Sequence, residues 1–254
     1  MTNLAAMKKT KTAIVSYHNT YPFLLGLEGT SIADQIELIK VAPSLCSEMF
    51  INGSADIALV PVGGLESLPE HEVFSDFCIG ADGPVYTVTL MANSAMENWT
   101  TVYLDTDSQT SVKLAKFILN EKGMNVRFIK GLPDMTYLPK DAAVLMIGDK
   151  VFENESAFMF KYDLAEMWKD MLGLPFVFAV WVKKNHVSQE FCDAFNESLA
   201  FGVSNISTLR NKKLSTKLDL QTYLQEHISF NLDHSKRMAM ELFLQRTNQK
   251  VLAV

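Results

Sequence analysis

The sequence predicts an α/β protein of two lobes joined by two crossing strands, with a ligand cleft between the lobes. Three observations carry this. Apolar runs of strand length alternate with helix-length patterns, the signature of a mostly parallel sheet flanked by helices. Two of those runs, Val85–Met91 and Pro175–Val182, are long enough to pass between lobes. Both termini then fall in the first lobe, 1–88 with 187–254, and the second, 89–186, is inserted. Finally, several strands end abruptly in polar turns, and open α/β sheets bind ligands at the carboxyl ends of their strands.

The elements follow in order. Thr12–Tyr17 is an apolar run that stops at Ser16-Tyr17-His18-Asn19, and Pro22 then suits the first turn of a helix, where a backbone N–H has no partner to lose. Further strands are predicted at Gln35–Val41, Ile57–Pro61, Val85–Met91, Thr101–Asp105, Val126–Ile129, Ala142–Ile147 and Pro175–Val182. Helices are predicted to begin near Pro43, Ser108, Leu164, Ser188, Thr216 and Asp233. In the last of these, Met238, Met240, Leu242, Phe243 and Leu244 read as packing, because such stripes at helical spacing usually face a core.

Composition excludes several classes of function. The 254 residues carry 29 acidic and 23 basic side chains, a net charge of −6, so no basic field exists to recruit nucleic acid. The longest apolar stretch, Leu174–Val182, is far too short to span a membrane. The apolar run after the N-terminal lysines is too short for a secretory signal, which predicts a cytoplasmic protein. Cys46, Cys78 and Cys192 are widely spaced and read as buried thiols, and the five histidines show no ligand spacing, so no metal is expected. No phosphate loop, dinucleotide fingerprint or Ser/His/Asp set is visible, and no cofactor is expected; Gly63-Gly64 is a lone pair.

Four segments could carry chemistry. Asn19 stands at a strand mouth, although the segment alone favours an ordinary strand-to-helix turn, where Asn tolerates awkward geometry. In Gly80-Ala81-Asp82-Gly83-Pro84, Gly83 permits close backbone approach, and Thr87 offers a hydroxyl just inside the next strand; a plain turn and a β-branched strand former explain both equally. Ser108, Thr110 and Ser111 open a helix whose free N–H groups and dipole favour an anion, while simple capping accounts for the same residues. Gly148-Asp149 ends another strand in a turn. His18 is expected to face away from Asn19, because successive strand residues point to opposite faces.

Taken together, the ordered segments resemble one family. Ser16–Phe23, Ala42-Pro43-Ser44, Gly53–Val62, Ile79–Val85, Leu104–Ser111, Ile147-Gly148-Asp149 and Gly173–Trp181 resemble the chorismate dehydratases of the futalosine route to menaquinone. That resemblance covers most of the chain and implies a type 2 periplasmic-binding-protein fold. It implies a lyase that dehydrates chorismate, a small dicarboxylate, to 3-[(1-carboxyvinyl)oxy]benzoate. Asn19 and Thr87 take the catalytic places, and Tyr17, Ser44, Gly83, Ser108, Thr110, Ser111, Gly148 and Asp149 the substrate-binding ones. Two departures stand out: His18 replaces a residue that is commonly aliphatic, and Thr87 replaces a frequent Ser. Three other readings stay open, a non-catalytic solute-binding protein, a ligand sensor, and the sister lyase acting on cyclic dehypoxanthinyl futalosine.

Overall fold

A computed structural model describes residues 9–248. The segment 1–8, part of the stretch that argued against export, lies outside them. The chain first lays down β1 (Thr10–Val15), α1 (Tyr21–Gly29), β2 (Ile36–Val41), α2 (Pro43–Ile51), β3 (Ile57–Pro61) and β4 (Glu72–Ala81). It then builds β5 (Val88–Ala92), β6 (Thr101–Leu104), α3 (Gln109–Glu121), β7 (Arg127–Lys130), β8 (Ala142–Ile147), α4 (Lys150–Asn154), β9 (Phe160–Asp163) and α5 (Leu164–Leu172). It returns as β10 (Phe176–Lys183), α6 (Gln189–Ser204), α7 (Leu220–Thr222), β11 (Ser229–Asn231) and α8 (His234–Asn248). One sheet has the order β11-β4-β10-β3-β1-β2 and the other β7-β6-β8-β5-β9.

Local chemistry explains most of these elements. Every residue of β3, β8 and β10 is buried, as continuous apolar strands covered on both faces should be. Pro22 sits in the first turn of α1, and α5 stops at Gly173, whose φ of +70° suits a glycine C-cap. α1 and α6 touch backbone to backbone. A Cβ on Gly26 would lie 1.8 Å from the Ser198 carbonyl oxygen, so only glycine lets the two helices approach this closely. One connected apolar core runs through both sheets, and within it Trp168, Phe176 and Phe243 pack edge to face. Phe243 and Ala239 are the buried apolar residues of the last helix among those described, whereas Met238 is 48% exposed and outside the packing stripe. The three cysteines are free and buried.

Several expectations need correction. The sheets are mixed: β1 runs parallel to β2 and β3, and β6 to β7 and β8, but β10 is antiparallel to both its neighbours and β5 to both of its own. The cause is connectivity. The chain leaves the first sheet after Ala81 and re-enters at Phe176, directly opposite Ala81, so it must run back the other way. β10 therefore lies wholly within the first sheet, between β3 and β4, and does not cross between lobes. A second lobe extending over 89–186 takes in a strand that belongs to the first. The crossings are the short segments after β4 and before β10. β4, β9 and β11 were not anticipated. In β4 extra residues between Val73 and Cys78 break the register against β10, which interrupts the alternation that marks a strand. No helix begins at Thr216; a bridge from Lys213 to Asp219 closes a turn there, and Asp219 caps α7 instead.

Candidate active site

A compact cavity of about 50 Å³ lies where strand ends of the two sheets face each other. Its polar wall is formed by Tyr17, Asn19 and Thr20 after β1, Thr87 in the first crossing, Ser108 and Ser111 at the start of α3, and Gly148 after β8. Pro43, Ile79, Val85 and Phe178 supply apolar surface. The carboxyl ends of β1, β6 and β8 thus converge on one hollow, as the rule for open sheets requires.

The turn after β1 is built by Thr20, whose hydroxyl lies 2.8 Å from the carbonyls of Val15 and Tyr17. It holds Asn19 at the cavity wall, where Asn19 Oδ1 is buried with no hydrogen-bond partner among the described residues. The hydroxyl of Tyr223 lies 2.7 Å from Thr87 Oγ1, and the Asn19 side chain is close enough to it to lower its pKa against burial. Residues 18–20 form a tight helical turn and not a strand, so strand alternation is not the reason that Asn19 lines the cavity wall while His18 stays off it. Its Nδ1 lies 2.7 Å from Asp149 Oδ1, and its backbone N–H donates to the same oxygen at 3.2 Å. His18 follows a strand of one sheet and Asp149 a strand of the other, so the pair ties the two halves together.

Tyr17 and Gly148 meet across the same gap. A Cβ on Gly148 would stand 2.7 Å from the Tyr17 ring, and Gly148 holds a φ of +63°. Burial pushes the Tyr17 phenol up to about 12, with Lys150 opposing and Asp107, Asp105 and Asp149 adding to it, so it stays a neutral donor. Lys150 Nζ is held by both Asp105 and Asp107. Burial works against its charge, but the hydrogen bonds it donates to the two carboxylates outweigh this and raise its pKa.

The helix start divides into two parts. Ser108 Oγ caps α3 by accepting from Ser111 N–H, the Ser111 hydroxyl lies 3.2 Å away, and both side chains line the cavity. Thr110 does not. Its hydroxyl donates to the Phe178 carbonyl at 2.9 Å and accepts from Gly63 N–H at 2.9 Å, so it is spent inside the protein. Phe178 is the extra residue of a bulge in β10, since Val177 and Ala179 pair with consecutive residues of β4. Thr110 gives the bulge carbonyl a partner, and the Phe178 side chain reaches the cavity. Ser44 and Gly83 lie outside the wall, as does Asp149, which serves the tie to His18. Tyr223 carries no local sequence signal, because its meeting with Thr87 spans 136 residues.

Two mixed sheets with a cavity at their facing ends define a periplasmic-binding-protein-like fold. A protein from Archaeoglobus fulgidus has this architecture with a TM-score of 0.73 at 14% identity, covering 98% of this chain and 100% of that one. The periplasmic aliphatic sulphonate-binding protein of Escherichia coli matches at 0.60 and 12% identity, over 96% of this chain and 86% of its own. Residues 10–249 match the model of the menaquinone biosynthesis family, and the chain belongs to that family. It is 24% identical over 253 residues to a chorismate dehydratase from Thermus thermophilus, covering 89% of this chain and 91% of the relative. Among the described residues no helix is long and apolar enough to cross a membrane.

Proposed function

We propose that this chain is a carbon–oxygen lyase that removes water from chorismate to give 3-[(1-carboxyvinyl)oxy]benzoate. Family membership and the dehydratase relative support the pathway. The observation that carries the reaction is the chemistry of the cavity. An amide and the hydroxyls of Tyr17, Thr87, Ser108 and Ser111 line it, while Lys150 nearby is already neutralised by two carboxylates. Such a wall suits a dicarboxylate held by fixed dipoles, which are effective in a site that excludes water.

The reaction takes the proton from C3, which bears the enolpyruvyl ether, and expels the hydroxyl from C4. Electrons from the C3–H bond move toward the ring carboxylate and return as the C4–O bond breaks, which makes the ring aromatic. Asn19 is not the base, because a neutral amide does not accept a proton near pH 7. In this reading the enolpyruvyl carboxylate takes the proton and hands it to the departing hydroxyl, which leaves as water. Asn19 and Thr87 orient that carboxylate, and the donors at Ser108 and Ser111 meet the charge on the ring acid. Holding base and C–H bond in one molecule lowers a barrier by about 7–11 kcal/mol in favourable cases.

A non-catalytic binding protein is the second reading, supported by the sulphonate-binding neighbour of the same fold. Incubation with chorismate decides between them by the ultraviolet absorbance of an aromatic product. Asn19→Ala is expected to cut kcat on the order of 100-fold or more while the variant melts normally. Near-normal kcat in that variant removes the role given to Asn19. Tight binding without product favours the second reading.

A further inference from the structure

Within the lyase reading just given, we propose that Tyr223 is a positioning residue, whose buried hydroxyl holds Thr87 beside Asn19 and sets which polar group Thr87 presents to the cavity. Tyr223 is 1% exposed and follows α7 at the start of a wide helical turn, Tyr223–His227. Such wide turns are uncommon and concentrate at functional sites. Three distant parts of the chain meet at its oxygen: the end of β1 through Asn19, the first crossing through Thr87, and this C-terminal turn. Packing asks only for the ring, which Phe152 meets edge to face at 5.5 Å. The hydroxyl has another use.

Hydrogen-bond polarity shows what that use is. A phenol has one proton to give and lone pairs to accept with, and burial holds its pKa above the ordinary 10.0, so it stays protonated. The Asn19 side chain opposes the effect of burial on Tyr223, as an amide N–H turned toward its oxygen does. The Tyr223 proton then points to Thr87 Oγ1, 2.7 Å away. That leaves the Thr87 proton a long contact to the Val85 carbonyl, at 3.5 Å. Beside it, Asn19 Oδ1 has no hydrogen-bond partner among the described residues. The cavity wall therefore offers a donor at Thr87 beside an acceptor at Asn19. That pairing suits a carboxyl group that is an acceptor before it takes a proton and a donor afterwards.

Tyr223→Phe removes the hydroxyl and keeps the ring. The expected result is a fall in kcat of about 10- to 100-fold, with KM changed less than about threefold. Combining it with Thr87→Val is expected to be no worse than the slower single variant, because both act through one hydrogen-bonded chain. A crystal structure of Tyr223→Phe is expected to show the Asn19 amide and the Thr87 hydroxyl reoriented. Unchanged kcat with only a lowered Tm overturns the proposal, as do losses that multiply in the double variant. If the unmodified protein forms no aromatic product from chorismate, the lyase reading fails. The positioning role is then judged by the crystal structure alone: moved side chains support it and unmoved ones overturn it.

Discussion

Gly148→Ala tests whether the closed cleft, with Tyr17 laid over Gly148, is the working state. The substitution adds two penalties of different origin. An alanine at φ +63° carries a left-handed strain of about 1–2 kcal/mol whether the cleft is open or shut. The new Cβ would also stand 2.7 Å from Tyr17 Cε2 and 2.8 Å from Cζ, well inside ordinary contact. That collision exists only when the halves are together, and overpacking of this kind costs about 1–3 kcal/mol. Thermal stability should therefore fall by the first amount, and the closing equilibrium by about 5- to 150-fold from the second. The assay measures Tm, ligand affinity and kcat/KM for Gly148→Ala in the native background and again with Tyr17→Leu. In the second background the Tm loss is expected to persist, while the added loss of affinity largely disappears. Equal affinity losses in both backgrounds would show that Tyr17 and Gly148 do not meet in the bound state, and the reasoning fails.

Two further outcomes follow from buried hydrogen bonds. Thr110→Val keeps the shape but strands the Gly63 N–H and the Phe178 carbonyl, both of which the hydroxyl now serves. It is expected to cost about 2–4 kcal/mol in denaturant unfolding, and a loss under about 0.5 kcal/mol would mean other partners take over. Asp163 accepts N–H bonds from Ala165 and Glu166 as the cap of α5, and from Tyr86, a crossing residue held at φ 66°. Burial pushes its carboxyl up from 3.8 to about 6, against those N–H bonds, which lower it. A raised carboxyl pKa means the folded state binds the proton more tightly, so the stability this group adds is full below about 4 and lost as pH rises through about 6. Relative to Asp163→Asn, which does not titrate, the unmodified protein should lose on the order of 3 kcal/mol across that window. A flat difference in unfolding free energy would contradict the burial assigned to Asp163.

Much of the frame was legible locally. Ile57–Pro61 and Ala142–Ile147 emerge as strands with the bounds their apolar runs predict, because a strand buried on both faces writes itself as an uninterrupted run. Pro22 and Ser108 mark helix starts for equally local reasons, a missing N–H and a side-chain acceptor. Tyr17, Asn19, Thr87, Ser108, Ser111 and Gly148 all reach one cavity, since strand ends and helix starts are where open sheets present side chains. Their neighbours misled for a physical reason. Thr110 carries the same hydroxyl as the residues beside it, but a helix turns successive side chains to different faces, and its face met a bulged carbonyl.

By itself, then, the order of residues determined the α/β class, most helix and strand starts, and the segments that hold the cavity, because periodicity, capping and turn chemistry act over a few residues. Only the tertiary structure decided the antiparallel insertion of β10, the tie between His18 and Asp149, and the meeting of Tyr223 with Thr87 and Asn19. Each depends on groups brought together from distant parts of the chain by packing of the whole core, and no short window contains the energy that selects them.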